Sequence, residues 1–261
     1  MKRSGLNICF LAVFLMAVSF TAPQRKPVIF LIGDSTVKNG KGKGDGGQWG
    51  WGSVLEQYFD TTRIDIQNRA LGGTSTRTFI SKGLWKNVLD QLSKGDYLMV
   101  QFGHNDGSPL DDTARARGTI KGIGDEVKTI YNPISRHEEI VHTYGWYLTK
   151  MIQEAKQKGV HVIICSPVPR DRWKDHKIER AEGSYPSWAE QVAQNNKVPF
   201  IDLHHLIADE YDKIGKEKIV AYFTAADHTH TSYEGAQKNA QIVVQAIKEL
   251  TQTELKNYLL P

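Results

Sequence analysis

Apolar positions along the chain follow two rhythms. Five short apolar runs occupy residues 28–32, 64–68, 97–102, 160–165 and 198–203, the second of them alternating rather than continuous. Between them, apolar positions recur at steps of three and four. One such stretch carries Val54, Leu55 and Tyr58, and another carries Leu84, Val88, Leu89 and Leu92. The clearest runs through Ile140, Tyr144, Leu148, Met151 and Ala155 and stops at Lys158-Gly159, a basic last turn followed by glycine. A last helix is predicted through Ala236, Ala240, Val243, Ile247 and Leu250, with Thr231 and Glu234 at capping-box spacing before it. Strands that are apolar throughout, alternating with helices, predict an α/β fold: a parallel sheet covered on both faces. The stretch 107–135 is long and rich in Gly, Asp and Thr, and it predicts an excursion over the sheet edge rather than a linker.

Residues 8–20 form a further apolar run, uncharged and preceded by Lys2 and Arg3. Ala17-Val18-Ser19 supplies small residues at cleavage spacing. This is the pattern of a secretory signal peptide, expected over 1–22, and it leaves one domain over 23–261. The run is shorter than the ~20 residues of a spanning helix, so no membrane association is expected of the mature chain. A secreted or periplasmic monomer is expected.

Removing the signal segment leaves Cys165 as the only cysteine, which excludes an internal disulfide. Its place at the end of the fourth apolar run predicts a core residue. Formal net charge is +4, and it falls to +2 without Lys2 and Arg3 because residues 1–24 hold no acid. That excess is too weak to indicate nucleic acid, though it permits an acidic substrate.

In open parallel sheets, ligands bind beyond the carboxyl ends of the strands. The first run ends in Gly33-Asp34-Ser35-Thr36, a sharp turn carrying a hydroxyl. The second is followed by Gly72-Gly73-Thr74-Ser75, where glycines let backbone N–H groups approach a ligand. The third is followed by Gly103-His104-Asn105-Asp106, whose Asn105 offers a neutral amide donor suited to an oxyanion. Near the end, Asp227-His228-Thr229-His230 places a carboxylate and an imidazole three apart, a spacing that lets Asp227 orient His230. Asp227, His228 and His230, with His104, are also a zinc ligand set, and spacing alone does not separate the two chemistries. No Gly-x-Ser-x-Gly elbow occurs.

The ordered set Ser35, Gly73, Asn105, Asp227/His230 resembles the SGNH, or GDSL-like, hydrolases. The strings at residues 33–36, 102–107 and 227–232 are similar to those of rhamnogalacturonan acetylesterases. The resemblance implies a flavodoxin-like three-layer α/β/α sandwich with a five-stranded parallel sheet. It implies a serine esterase that deacetylates a pectic polysaccharide, with Ser35, Asp227 and His230 as triad. Ser35, Gly73 and Asn105 would form the oxyanion hole; Gly72 is the alternative to Gly73, and the following Ser75 favours Gly73. No metal or other cofactor is implied, and the partner is an acetylated polysaccharide or oligosaccharide. Arg77 and Trp85, soon after the glycine block, and Arg170 and His228 are the candidate substrate contacts. Asp34 and Asp106 are expected to brace their turns.

Overall fold

Each of the five apolar runs forms a strand, and helices separate most of them. A computed structural model describes residues 25–38, 47–225 and 227–261; the expected signal segment lies outside the described residues. The chain begins with β1 (Val28–Gly33), β2 (Asp65–Asn68), α1 (Thr76–Ser81), α2 (Leu84–Gln91) and β3 (Tyr97–Gln101). A hairpin follows, β4 (Val127–Asn132) and β5 (His137–His142), and then α3 (Tyr144–Gln157) and β6 (His161–Cys165). A second small hairpin, β7 (Trp173–Lys174) and β8 (Lys177–Ile178), precedes α4 (Tyr185–Asn196) and β9 (Phe200–Ile201). The chain closes with α5 (Leu203–Ile214), α6 (Lys216–Ile219) and α7 (Tyr233–Glu249).

The main sheet has the order β2-β1-β3-β6-β9 and every pairing in it is parallel. Counting its members alone, the order is 2-1-3-4-5, that of flavodoxin-like sheets. Side chains alternate across it. Ile29, Leu31, Met99, Ile163 and Cys165 pack on one face with α5 and α7. Phe30, Ile32, Leu98, Val100, Val162 and Ile164 pack on the other with α1 to α4. Burial on both faces is why β1, β3 and β6 read as continuous apolar runs, whereas β2, at the sheet edge, is only partly buried and alternates. Cys165 is a core residue, as expected, and burial pushes its thiol far up.

Several element boundaries differ from the sequence reading, each for a local reason. β9 is cut to two residues because Asp202 caps α5, accepting from His205 N. Leu55 and Tyr58 fall in a 3-10 turn, and Val54 is the junction between it and the 3-10 turn before it. Helix α3 begins only at Tyr144, capped by Thr143, whose Oγ1 accepts from Trp146 N at 3.0 Å. Ile140, which the helical spacing had included, stands exposed in β5. The cap of α7 is Ser232, not Thr231. Ser232 accepts from Gly235 N, while Thr231 Oγ1 donates to Trp49 O at 2.6 Å.

The excursion at 107–135 ends in the β4–β5 hairpin, and a buried ion pair ties it down. Arg77 in α1 is 1% exposed. Its Nε and Nη2 donate to the two carboxylate oxygens of Glu139 in β5, at 2.8 and 2.6 Å. Its Nη1 donates to the carbonyls of Leu110 and Gly118, at 2.8 and 2.9 Å. Burial pushes the Glu139 carboxyl up, but Arg77 and Asn132 outweigh it, so Glu139 sits below its ordinary range. Arg77 therefore has its donors spent inside the protein and cannot contact substrate, contrary to expectation. Trp85 is also core: it packs beside Val88 and Phe79, and its Nε1 donates to Glu154 at 2.6 Å.

Removing one partner of a buried pair leaves the other uncompensated, at a cost of ~3–5 kcal/mol. Arg77→Met should lower the free energy of urea unfolding by about that much, and Arg77→Met with Glu139→Leu should recover most of it. A single variant as stable as the parent would show that the pair does not anchor the excursion.

Candidate active site

β1 and β3 are adjacent in the sheet although β2 lies between them in sequence, so the strand order reverses here. Their carboxyl ends form the crevice where such sheets hold ligands. Ser35 follows β1 and Asn105 follows β3. At Gly33 a Cβ would collide with the Gln101 carbonyl oxygen and lie 2.8 Å from Val37 Cγ2, so only glycine lets the strands pack this closely. The turn is held by Val37 N donating to Asp34 O at 3.2 Å, and by Asp34 Oδ1 accepting from Thr36 N and Oγ1 at 2.9 and 2.8 Å. Asp34 is the turn-holder the sequence suggested.

The glycine block folds against this turn. Leu71 N donates to Gly33 O at 3.1 Å, and Thr74 N closes a turn onto Leu71 O at 3.3 Å. Gly73 within it has φ +78°, a conformation that favours glycine. A Cβ on Gly72 would touch Ser35 Cβ at 3.7 Å, which places the block directly beside the hydroxyl. Ser75 then starts α1 with a capping box to Thr78.

Asn105 is nearly buried and donates Nδ2 to Thr74 O at 2.8 Å, joining the third block to the second. One N–H of that amide remains. Asp106 reaches the start of α1, where its Oδ1 accepts from Thr76 N at 3.0 Å and Thr76 Oγ1 at 2.5 Å. Burial raises the Asp106 carboxyl to about 7, against the pull of the Thr76 hydrogen bonds. It braces the Asn105 loop against the start of α1. The backbone N–H groups of Ser35 and Gly73 donate to no other described residue. Two backbone donors, on Ser35 and Gly73, and one N–H of the Asn105 amide thus stay uncommitted among the described residues.

The loop before α7 completes the cluster. Asp227 Oδ1 accepts from Thr229 N and His230 N at 2.6 and 2.7 Å, and its Oδ2 meets His230 Nδ1 at 2.6 Å. Partial burial pushes the Asp227 carboxyl up, but these hydrogen bonds win and hold it below the usual range. His230 Nε2 lies 2.7 Å from Ser35 Oγ. With Asp227 ionised, Nδ1 carries the proton and Nε2 accepts from the serine hydroxyl, a tautomer assigned from this network. His230 and Asp227 keep side-chain exposures of 24% and 33%, so the pair is open to a ligand.

The structure thus brings Ser35, Gly73, Asn105, Asp227 and His230 into one cluster. Arg170 lies at its margin, with Nη1 donating to Thr229 Oγ1 next to His230. His228 has a side chain 72% exposed, and its Nδ1 lies 3.3 Å from Asp171 Oδ2. Of the other tryptophans, Trp51 is core and donates to Gln101 Oε1, Trp49 is edge-on to Tyr233, and Trp146 stacks on His142.

His230 has both ring nitrogens engaged within the cluster. His104 Nε2 is buried without a hydrogen-bond partner, and burial depresses its pKa to about 4 against the pull of Asp34, keeping the ring neutral. Among the described residues, no three His, Cys, Asp or Glu side chains converge as a metal ion requires. Sequence reasoning missed Arg115 and Arg117. Arg117 donates Nη1 to Gly73 O at 3.3 Å and Nε to Ser108 Oγ at 3.0 Å. The only signal was an Arg-x-Arg pair inside the excursion.

Comparison with known proteins agrees with this geometry. Residues 31–238 match the model of the GDSL-like lipase/acylhydrolase family. The chain is 31% identical to rhamnogalacturonan acetylesterase RhgT of Bacillus subtilis, over 87% of this chain and 92% of that protein. It is 29% identical to rhamnogalacturonan acetylesterase of Emericella nidulans, over 90% of this chain and 91% of that protein. Among solved structures, protein YxiM of Bacillus subtilis superposes with a TM-score of 0.70 at 26% identity, covering 87% of this chain and 57% of that one. The acetylxylan esterase Axe2 of Geobacillus stearothermophilus shares the fold, with a TM-score of 0.54 at 16% identity over 85% of this chain and 94% of that one. With its sheet order, its serine turn and a family match that spans most of its length, this chain belongs to the GDSL-like lipase/acylhydrolase family.

Proposed function

We propose that this chain is a serine carbohydrate acetylesterase, and that its polymer is pectic, namely rhamnogalacturonan. The observation that carries the reading is the unbroken chain from Asp227 through His230 to Ser35, with free N–H donors beside the serine. The names of the relatives in Bacillus subtilis and Emericella nidulans support the acetyl group and the polymer. The apolar run at 8–20 supports export to the periplasm or exterior.

In this mechanism Ser35 Oγ attacks the acetyl carbonyl while His230 Nε2 takes its proton. Asp227, already hydrogen-bonded through Oδ2, stabilises the imidazolium that forms. The carbonyl oxygen becomes an oxyanion and meets donors that are already fixed: Ser35 N–H, Gly73 N–H and the remaining Asn105 amide N–H. Fixed donors need no reorganisation as charge develops. His230 returns the proton to the leaving sugar hydroxyl, leaving acetyl on Ser35. Water, deprotonated by the same imidazole, then releases acetate and restores the serine. No step requires a metal or other cofactor.

The direct test is acetate release from acetylated rhamnogalacturonan, acetylated xylan and aryl esters of increasing chain length. Preference for the pectic polymer and for acetyl over octanoyl esters is expected; the reverse preference would sink the assignment. Ser35→Ala should reduce kcat on an aryl acetate by roughly a million-fold, to background, with an unchanged circular dichroism spectrum. Asn105→Ala should lower kcat about 10²–10³-fold, the effect of losing one oxyanion donor.

A further inference from the structure

The turn that offers the Gly73 N–H contains two consecutive glycines, Gly72 and Gly73, and such a pair puts little intrinsic restraint on its own backbone. A donor fixed in advance therefore needs restraint from outside the pair. Part of it acts through Thr74, whose N donates to Leu71 O at 3.3 Å and whose O accepts from Asn105 Nδ2 at 2.8 Å. The Gly73 carbonyl oxygen shares a peptide plane with Thr74 N, and it accepts from Arg117 Nη1 at 3.3 Å. Fixing that plane restrains ψ of Gly73 and hence the direction of its own N–H. The same guanidinium donates Nε to Ser108 Oγ at 3.0 Å, in the loop that follows Asn105. Arg117 therefore bridges the loop after β2 to the loop after β3, the two that carry Gly73 and Asn105. A Cβ at Gly73 would lie 3.0 Å from Arg115 Nη1 and 3.7 Å from Arg117 Nη1, so both guanidinium groups also cover the side that glycine leaves bare.

The excursion is built to hold this side chain in place. Asp112 folds a tight turn before it: its Oδ1 accepts from Ala114 N and Arg115 N at 3.0 and 2.8 Å, and its carbonyl accepts from Ala116 N at 3.1 Å. Ala116 is buried with φ +42°, a left-handed conformation that a residue with a Cβ keeps only where its surroundings enforce it. Beyond Arg117 the backbone is anchored again. Gly118 N donates to Pro109 O at 3.2 Å, Gly118 O accepts from Arg77 Nη1 at 2.9 Å, and Thr119 N donates to Asp106 O at 2.9 Å. A Cβ on Gly118 would collide with the Ser108 carbonyl oxygen, so the excursion packs backbone against backbone here. Burial and the neighbouring Arg115 weaken the hold of Arg117 on its proton, while Asp112, Asp34 and Asp106 act the other way. Although these three carboxyl groups are near, the hydrogen bonds of Arg117 to described residues go to neutral acceptors in the two loops.

We infer that Arg117 is a positioning residue for the oxyanion hole: by clasping Gly73 O and Ser108 Oγ together it aims the Gly73 N–H and sets the Asn105 loop against it. The inference rests on the serine esterase reading. Arg117 touches no reacting atom in this role and acts through Gly73. A misplacement of about 1 Å is enough to cost a site much of its rate.

The test compares the full chain with Arg117→Ala and Arg117→Lys on 4-nitrophenyl acetate, a neutral ester too small to need a polymer subsite. In a folded Arg117→Ala, kcat should fall about 10–100-fold, somewhat less than for outright loss of a donor. KM should stay within about twofold, because the interaction lost is one made in the transition state. Affinity for phenylboronic acid, whose serine adduct directs an oxygen into the oxyanion hole, should fall by a similar factor in calorimetric titration. Arg117→Lys should stay well below the parent, since an ammonium group lacks the planar fork that spans both acceptors. Ser108→Ala removes one end of the bridge and serves where Arg117→Ala misfolds; it should lower kcat about fivefold, the scale of one hydrogen bond. Unchanged kcat and boronate affinity in a folded Arg117→Ala or in Ser108→Ala would overturn the inference. A rise in KM with kcat unchanged would overturn it by making Arg117 a substrate contact, and full recovery in Arg117→Lys would do so by making charge alone sufficient. A parent chain that turns over no ester would count against the esterase reading, while the boronate comparison, which needs no turnover, would still decide the role of Arg117.

Discussion

The 2.7 Å contact between His230 Nε2 and Ser35 Oγ joins side chains 195 positions apart in the chain. Everything else in the fold is arranged so that this contact closes. An imidazole within hydrogen-bond reach of a hydroxyl is useful only if neither drifts, since a misplacement of about 1 Å can cost 100-fold in rate. No disulfide holds the two ends together: Cys165 is the one cysteine among the described residues, and it is buried and free. The parallel sheet does the holding. Strands that run the same way deliver their carboxyl ends to one edge, so the turns after β1, β2 and β3 meet there without long connections.

Backbone satisfaction carries the geometry from the sheet to the site. Asp34 and Asp106, both buried, each hold a turn through one oxygen, to Thr36 and to Thr76. Asp227 divides its oxygens, one fixing the loop backbone and one the imidazole. Asn105 spends one N–H on Thr74 and keeps the other. The backbone N–H groups of Ser35 and Gly73 donate to no other described residue, and unpaired donors fixed in advance are what an oxyanion requires.

The strands and the cluster were legible in the sequence because their constraints are local. A strand buried on both faces is apolar at nearly every position, as β1, β3 and β6 are. A serine, a glycine and an asparagine after three strands, with an Asp/His pair before the last helix, converge on one chemistry, acyl transfer. The β4–β5 hairpin was not legible. One face is exposed, its strands are polar, and Ile140 happens to fall in step with the helix that follows. Arg77 was misread because its partner Glu139 lies 62 positions away, so nothing near it in sequence announces burial. The cap of α7 moved by one residue because Thr231 is drawn to Trp49, a contact that only the fold creates. The Arg115 and Arg117 cluster became visible only when the excursion folded back onto Gly73.

The central claim is that the Ser35 hydroxyl, alone among the serines, is activated for acyl transfer. A fluorophosphonate, which reacts covalently with activated serine hydroxyls, tests this directly when labelled peptides are mapped by mass spectrometry. The label is expected on the peptide containing Ser35, with acetate release lost in proportion to labelling. Label on a different residue, or full acetate release from a chain fully labelled at Ser35, would contradict it.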